Sequence, residues 1–271
     1  FEIMSLIEIR KVENKKDLKT FIDFHYDLYE GNEYDVPNLF SDEMNTLSKD
    51  RNAAFEFCES EYFLAYKDGK LAGRVAAIIN HKANERWNCK SVRFGWIDFI
   101  DDPDVSRSLI KAVEQWGLNK GMTEIEGPLG FTDFDAEGTL IEGFDQLSTM
   151  ATIYNYDYYP RHMEQMGGWA KDNDYVEYFL PVPDKVPEKY AKIASLVEKR
   201  YNLHVKKLTR KDVFQGGWGR KLFEIINATY TNLYGFVSLT DRQIDQYVNM
   251  YVPVQPRHPQ WRTDRSRCGL R

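Results

Sequence analysis

The sequence predicts a mixed α/β fold in which helices flank a central mixed sheet, and three observations indicate it. Short alternating segments typical of strands are interleaved with segments whose apolar residues recur every three or four positions, as in amphipathic helices. Residues 61–80 have the pattern of a β-hairpin around Asp68-Gly69. Residues 92–128 place a strand, a helix and a strand within about thirty residues, the length of a βαβ unit.

The first elements follow from periodicity and from their end signals. Residues 6–12 alternate as a strand, and residues 15–30 then form a helix with one apolar face that ends at Gly31-Asn32. A short helix is predicted at 39–47. The hairpin strands at 61–66 and 71–80 follow, and a loop through Trp87 leads to the next strand.

The βαβ unit has the clearest signals in the chain. Residues 92–100 form an apolar strand, and Asp102 then caps a helix whose first position suits Pro103 and whose end suits Gly121. The second strand, at 123–128, is expected to run parallel to the first. Ligands gather at the carboxyl ends of such strands, so residues 100–104 and 128–135 are predicted to meet in a crevice. A helix at 158–166 and a strand at 175–180 complete this part of the chain.

The remaining residues predict a second, incomplete domain. Helices at 189–199, 221–234 and 241–251 surround a short strand at 203–208, and the helix ending in LFEIINATYTNLYG repeats the spacing of LKTFIDFHYDLYEG near the start. We therefore divide the chain into domains at 4–182 and 183–252. Residues 253–271, with five arginines and three prolines, are expected to be disordered or foreign to the natural protein, and Met4 is the expected start.

Composition excludes several classes of protein. The net charge of −6 argues against a general nucleic-acid binder, because affinity for phosphate backbones needs clustered Lys and Arg. Three scattered cysteines indicate neither a disulfide framework nor a zinc site, which fits a cytoplasmic protein. No run reaches membrane-spanning length, so no membrane partner is expected. His25 and His81 have no nucleophile or carboxylate at a diagnostic spacing and are predicted to be packing or surface residues.

The order of these elements resembles the GNAT acyltransferase superfamily over about residues 6–180. Within it, the segment FIDDPDVSRSLIKAVEQWGLNKGMTEIEGPLGFTDFDAEGTLIEGFD is similar to a bacterial GNAT-like family of acetyltransferases. The resemblance implies a GNAT-like fold with acetyl-CoA as co-substrate. Its thioester arm would pair with the backbone of Asp98, Phe99 and Ile100, and its pyrophosphate would lie at the following helix start, formed by Asp101, Val105, Ser106 and Arg107.

The predicted pyrophosphate loop departs from the superfamily pattern. It reads Asp101-Asp102-Pro103-Asp104, with no glycine and no leading Gln or Arg. Asp102 would occupy the helix-terminal amides that otherwise attract anions. Each misplaced carboxylate near a partly exposed helix end costs about 0.3–1 kcal/mol, so an ordinary capped helix is the competing interpretation.

Candidate proton donors and acceptors lie on either side of this unit. The superfamily's general acid is a tyrosine four residues before a Gly-aromatic pair, but Glu164 holds that position before Gly168-Trp169. Tyr158 and Tyr159 lie one to two turns earlier and are the candidates, with a packing role as the alternative.

The acidic loop is the candidate amine site. Its carboxylates can bind a cationic amine and help deprotonate it, or they can simply be solvated turn residues. The loop starts like a calcium loop, but Phe144 stands where the bidentate Glu is needed, so no metal is expected. The carboxylates are Asp133, Asp135, Glu142 and Asp145.

These observations favour an N-acetyltransferase that transfers an acyl group from CoA to a primary amine of a small molecule or a protein. The catalytic candidates are Tyr158, Tyr159, Asp133 and Asp135. A homodimer is compatible with the sequence. The alternative is a degenerate GNAT-like protein that binds a ligand or partner without chemistry. The acidic pyrophosphate loop favours that alternative.

Overall fold

The computed structural model describes residues 6–149 and 151–251, which form two compact units. One unit contains the residues up to Asp172 together with Tyr230–Ser238, and the other contains Asn173–Thr229 and the residues from Leu239 onward. The predicted start at Met4 and the predicted tail at 253–271 lie outside the described residues. The division of the chain at residue 182 stays a prediction.

The first unit is built on a five-stranded mixed sheet with its strands in sequence order. Neighbouring strands are antiparallel except for the last pair, which is parallel, as the βαβ pattern predicted. The predicted mixed α/β fold with a central sheet is therefore confirmed. The strands are β1 (Ile7–Lys11), β2 (Cys58–Lys67), β3 (Lys70–Asn80), β4 (Ser91–Phe99) and β5 (Glu124–Glu126).

Helices cover both faces of this sheet. Apolar residues of α1 (Lys15–Leu28) and α2 (Phe40–Leu47) pack on one face with Leu64 and Ile78 of the sheet. The other face packs against α4 (Pro103–Asn119) and α5 (Tyr158–Met166). This layering leaves the two faces of β4 in contact with different helices.

The start of α4 forms as its sequence predicts. The Asp102 side chain accepts hydrogen bonds from the amides of Asp104 and Val105, and Pro103 occupies the first turn. Gly121 follows the helix with φ of +81°, a conformation that glycine adopts without strain. The cap and the turn chemistry thus fixed the helix at both ends.

The predicted loop through Trp87 is wrong, because α3 (His81–Trp87) occupies it. Asn80 caps this helix through the Ala83 amide, and Asn88 ends it in the left-handed conformation. Ala83 is the helix's one buried residue, so the sequence has no apolar periodicity from which α3 could be predicted. A 3₁₀ turn at Ala53–Glu56 was also not predicted.

Strands β4 and β5 part at a distortion in β4. The Leu129 amide donates to the Phe94 carbonyl at 2.8 Å, and the pairing of β3 with β4 shifts register between Gly95 and Asp98. A Cβ on Gly95 would lie 2.4 Å from the Leu129 carbonyl oxygen, so only glycine allows this approach. Trp96 itself adopts φ of +46°. The last residues of β4 therefore have an edge that β5 does not cover.

The second unit contains α6 (Glu188–Tyr201), α7 (Arg210–Phe214), α8 (Trp218–Thr229) and α9 (Asp241–Tyr251). The three longer helices were predicted, although α8 ends before residue 234. The predicted strands at 175–180 and 203–208 are wrong, since neither segment is a strand. Both segments are exposed and pair with no neighbouring strand in the described part of the chain, and alternation alone does not satisfy backbone groups.

Candidate functional site

The uncovered edge of β4 is occupied by two tyrosine hydroxyls from α5. Tyr158 donates to the Phe99 carbonyl at 2.7 Å, and the Phe99 amide donates to the Tyr159 hydroxyl at 3.3 Å. These Phe99 groups point away from β3, because the neighbouring Ile100 amide bonds to the Ala72 carbonyl of β3. The backbone positions predicted for a thioester arm are thus filled by side chains.

Further contacts hold α5 against the start of α4. The Phe99 ring stacks on Tyr159 at 4.2 Å and on His162 at 5.2 Å. His162 lies within hydrogen-bond distance of Asp101 Oδ1 through Nε2 (2.9 Å) and of the Ser106 hydroxyl through Nδ1 (3.0 Å). The crevice predicted beside residues 100–104 is therefore closed by α5 in this structure.

The start of α4 offers little to an anion. Its first free amides bond to Asp102, whose carboxylate also pairs with Lys67. Val105 and Ser106 are fully buried, and Ser106 also donates to the Pro103 carbonyl at 3.2 Å. Arg107 is exposed and pairs with Asp104 at 3.5 Å. Of the predicted cofactor residues, those on α4 form a capped helix end, which is what the competing interpretation of the loop expected.

Asp98 is the centre of a buried ionic network on the other side of β4. Its Oδ2 accepts from Arg74 at 2.7 Å and lies 3.1 Å from His25 Nδ1, and its Oδ1 accepts from Tyr159 at 3.0 Å. His25 also lies 3.4 Å from Asp35 through Nε2. The network gives α1, β3, β4 and α5 one shared set of polar contacts.

The charges of Asp98 and His25 are set by the groups next to them in the network. Burial raises the pKa of Asp98, but Arg74 and His25 outweigh burial and lower it to about 2. Burial lowers the pKa of His25, but the charge of Asp98 and hydrogen bonds to Asp35 and Asp98 outweigh burial and raise it to about 9. His25 is therefore a charged partner of two carboxylates in addition to packing on the Tyr29 ring at 4.6 Å, and the predicted packing or surface role did not include this ionic contact. The sequence showed only that His25 lies on an apolar helix face, and no spacing along the chain indicated its contact with Asp98.

The two candidate tyrosines hold their protons tightly. Burial and the charge of Asp98 raise the pKa of Tyr158 and raise that of Tyr159 well above its usual value. Tyr159 also accepts from the Tyr29 hydroxyl at 3.1 Å, and the Tyr29 ring stacks on Tyr156 at 4.7 Å. The Tyr158 hydroxyl donates to one protein group and the Tyr159 hydroxyl bonds to three, so each would have to change partners before it could donate a proton to a ligand.

The acidic loop lies beside the distortion in β4. It is closed by a 2.8 Å bond from the Gly138 amide to the Pro128 carbonyl, and the Phe131 ring contacts Trp96 at 5.6 Å. Burial raises the pKa of Asp133 to about 6 and that of Asp135 to about 7. These two carboxyl groups therefore titrate close to neutral pH, the range that suits an exchangeable proton.

Within the part of the chain that the structure describes, no cation is bonded to the carboxyl groups of Asp133 and Asp135. Asp133 Oδ1 is buried and has no hydrogen-bond partner, while Asp135 Oδ2 accepts from the Thr132 amide at 3.0 Å. Glu43 of α2 is buried and accepts from Trp96 Nε1 at 2.7 Å, and its charge further raises the pKa of Asp135. Arg93 lowers the pKa of Asp133, but its guanidinium is bonded to Glu126 and to the Gly130 carbonyl. The predicted partners Glu142 and Asp145 are exposed, outside this group.

Other ligand classes find less support. Within residues 6–149 and 151–251, no three His, Cys, Asp or Glu side chains are gathered so that they could hold a metal ion. In the same residues no helix has the length and apolar character needed to cross a membrane.

Two curated proteins are similar to this chain in sequence. It is 29% identical over 238 residues to Protein YghO of Escherichia coli (strain K12), a match that covers 87% of this chain and 59% of that protein. It is 25% identical over 252 residues to the bacterial ceramide synthase of Caulobacter vibrioides, covering 89% of this chain and 62% of that protein. The chain thus spans about three-fifths of the length of these relatives. No protein-family model matches it.

Solved acetyltransferases align with about two-thirds of the chain. The aminoglycoside N-acetyltransferase AAC(6')-Iy in complex with CoA aligns with 67% of this chain and 99% of its own at 18% identity and a TM-score of 0.37. The aminoglycoside acetyltransferase meta-AAC0020, from an uncultured soil metagenomic sample and bound to sisomicin, aligns with 65% and 97% at 12% identity and a TM-score of 0.38. The fold class itself follows from the sheet order and helix positions described above.

Proposed function

We propose that this chain is an N-acyltransferase domain in which the acidic loop receives a primary amine and a CoA thioester donates the acyl group. The observation that carries the proposal is the pair Asp133 and Asp135, whose pKa values are raised to about 6 and 7 and to which no cation is bonded among the described residues. A bound ammonium group would supply that cation. Functional sites characteristically hold carboxyl groups in such unfavourable surroundings.

The same carboxylates suit the first step of the reaction. An ammonium ion must lose a proton before its nitrogen can attack a thioester, and a carboxylate that titrates near neutral pH can accept it. The neutral nitrogen then bonds to the acyl carbon, the carbon–sulfur bond breaks, the nitrogen releases its second proton, and the CoA thiolate takes one proton, so that the amide and free CoA are formed. Tyr158 is the better candidate for that last proton, because its hydroxyl has one hydrogen bond to exchange, to the Phe99 carbonyl, whereas the Tyr159 hydroxyl bonds to Asp98, Tyr29 and the Phe99 amide.

The acceptor class comes from the relative that makes ceramide. A ceramide is the amide of a fatty acid with a long-chain amino alcohol, so its synthesis forms the bond proposed here. By that analogy we propose a small-molecule, long-chain primary amine as acceptor, in preference to a protein amine, and acetyl-CoA or a longer acyl-CoA as donor. An assembly of two copies stays a prediction.

A second candidate is a protein that binds ligands without catalysis. The closed β4 edge favours it, since the Tyr158 and Tyr159 hydroxyls occupy the Phe99 groups that a thioester arm would pair with. Catalysis therefore requires α5 to withdraw when the donor binds. Carboxyl groups whose pKa values are raised to about 6 and 7 suit proton acceptance as well as cation binding, and for this reason we place the acyltransferase first.

Amide formation tests the proposal. The chain is incubated with acetyl-CoA or palmitoyl-CoA and a long-chain amino alcohol, and the amide is quantified by mass spectrometry. We expect product with the unaltered chain and at least a tenfold loss in Asp135→Asn, while Asp145→Asn, an exposed change on the same segment, retains activity. Binding of acyl-CoA without any amide, by protein shown to be folded, would favour the non-catalytic candidate.

A further inference from the structure

One stretch of the second unit has a charge opposite to that of the whole chain. Residues 185–211 carry nine Lys and Arg against two Glu, although the chain as a whole has a net charge of −6. Every residue of this stretch is exposed. A basic stretch of this density attracts anionic surfaces, and its attraction is screened by salt.

Helix α6, within this stretch, also exposes an apolar face. Tyr190, Ile193, Val197 and Tyr201 follow one another at spacings of three and four, which places them along one side of the helix. Their exposed fractions are 62%, 46%, 39% and 60%. No residue of α6 is buried. A helix that shows an apolar side next to several cations is typical of helices that lie on membranes.

We propose that α6, with the basic residues around it, docks onto an anionic lipid surface. At 14 residues α6 is about 21 Å long, too short to span a bilayer, so it would lie in the plane of the headgroups. Lys189 and Arg200 border its apolar side and would meet lipid phosphates, while Tyr190 and Tyr201 suit the boundary between headgroups and acyl chains. The basic charge of the stretch favours an anionic surface over a neutral one, and the exposed apolar side with its two tyrosines favours lipid as that surface.

This inference revises the sequence-based expectation that the chain has no membrane partner. That expectation came from the absence of a membrane-spanning run, and a helix that lies on a membrane needs none. Membrane docking has a biological role only if the proposed function holds, and it adds to that function. Long-chain amines and fatty acyl products partition into membranes, so an enzyme that docks there would meet them. The docking surface itself contains none of the residues assigned to the reaction.

Vesicle sedimentation with the full chain tests the proposal. Vesicles of phosphatidylcholine alone are compared with vesicles that also contain phosphatidylglycerol, at low and high salt and without acyl donor or amine. We expect binding only to the anionic vesicles, weakened by salt. The triple variant Lys185→Ala, Lys189→Ala, Arg200→Ala should bind roughly a hundredfold more weakly. A triple variant at Lys15, Lys49 and Lys70, exposed lysines of the first unit, has the same charge change and should bind normally.

A second variant tests the apolar side. Ile193→Asp with Val197→Asp should lose vesicle binding while the far-ultraviolet circular dichroism of the chain stays unchanged. Absence of binding by folded protein, or equal binding by both triple variants, would overturn the proposal. Self-association that Ile193→Asp abolishes, without vesicle binding, would instead assign this face to a polypeptide partner. Vesicle binding combined with no amide formation would count against the proposed function alone.

Discussion

The Tyr159 hydroxyl donates to Asp98 Oδ1 at 3.0 Å and accepts from the Phe99 amide at 3.3 Å. A single phenol therefore joins α5 to the last residues of β4 across the edge that β5 leaves uncovered. The contact connects the buried ionic network on one side of the sheet with the helix that closes the crevice on the other. Removing the Tyr159 hydroxyl or the Asp98 carboxylate should therefore affect both the ionic network and the position of α5.

Asp98→Asn should strongly destabilise the first unit. The change leaves the buried charges of Arg74 and His25 without their shared carboxylate, and breaking a buried ion pair in this way costs about 3–5 kcal/mol. Urea unfolding measures the loss. Glu8→Gln, which removes an exposed ion pair with Arg10, serves as control and should change stability little. A loss for Asp98→Asn as small as that of the control would mean that the network is not stabilising.

His25 should make stability depend on pH in the alkaline range. Its pKa rises from 6.5 to about 9 on folding, so the stabilisation is fully present below pH 6.5 and is lost as pH rises through 9. His25→Gln should therefore lower the free energy of unfolding at pH 6 by at most about 3 kcal/mol. At pH 10 the two proteins should differ much less. Thermal unfolding at both pH values checks this, and an equal difference at both would contradict the assigned charge.

Asp133→Asn and Asp135→Asn should stabilise the protein at neutral and alkaline pH. Both pKa values are raised from 3.8, so the native state favours the protonated carboxyls, and that contribution is lost as pH rises through about 6 and 7. We expect each variant to gain about 2 kcal/mol at pH 8, allowing for partial exposure, and almost nothing at pH 3.5. Unfolding of both variants across this pH range is the test. Destabilisation at pH 8 would show that the carboxylates are well compensated.

Tyr159→Phe should loosen α5 more than Tyr158→Phe does. The first change leaves the Phe99 amide, the Tyr29 hydroxyl and Asp98 each short of one partner, a loss of about 2 kcal/mol. The second removes one donor to the Phe99 carbonyl and should cost about 1 kcal/mol. Hydrogen exchange of the Phe99 amide should quicken most in Tyr159→Phe. Equal exchange in both variants would contradict the assigned contacts.

Local chemistry made much of the first unit predictable. The Asp102 cap, the Asp68-Gly69 turn and the spacing of the α4 core each act within a few residues, and the helices and strands they define are present. The short helix α3 was not predicted, because its polar sequence has no apolar residues at helical spacing. The strands predicted at 175–180 and 203–208 failed because a strand needs a partner that its own sequence cannot supply.

The site was only partly predictable, because its contacts join distant parts of the chain. Residue types indicated the Asp133 and Asp135 carboxyls, but their raised pKa values depend on burial, and that of Asp135 depends also on the charge of Glu43 from α2. No pattern along the sequence indicates Arg74, because its contact with Asp98 follows from the register of β3 and β4. The position of α5 over Phe99 likewise results from packing between distant segments, so it could not be predicted from residue spacing.

Calorimetric titration of a long-chain primary amine tests the central claim most directly, because it probes the acceptor site without requiring turnover. The unaltered chain is compared with the double variant Asp133→Asn, Asp135→Asn, and the N-acetylated form of the same amine serves as a control that lacks the cation. We predict binding of the amine by the unaltered chain, at least tenfold weaker binding by the variant, and little binding of the acetylated form by either. Equal affinity of both proteins for the amine would contradict the assignment of the acidic loop as the acceptor site.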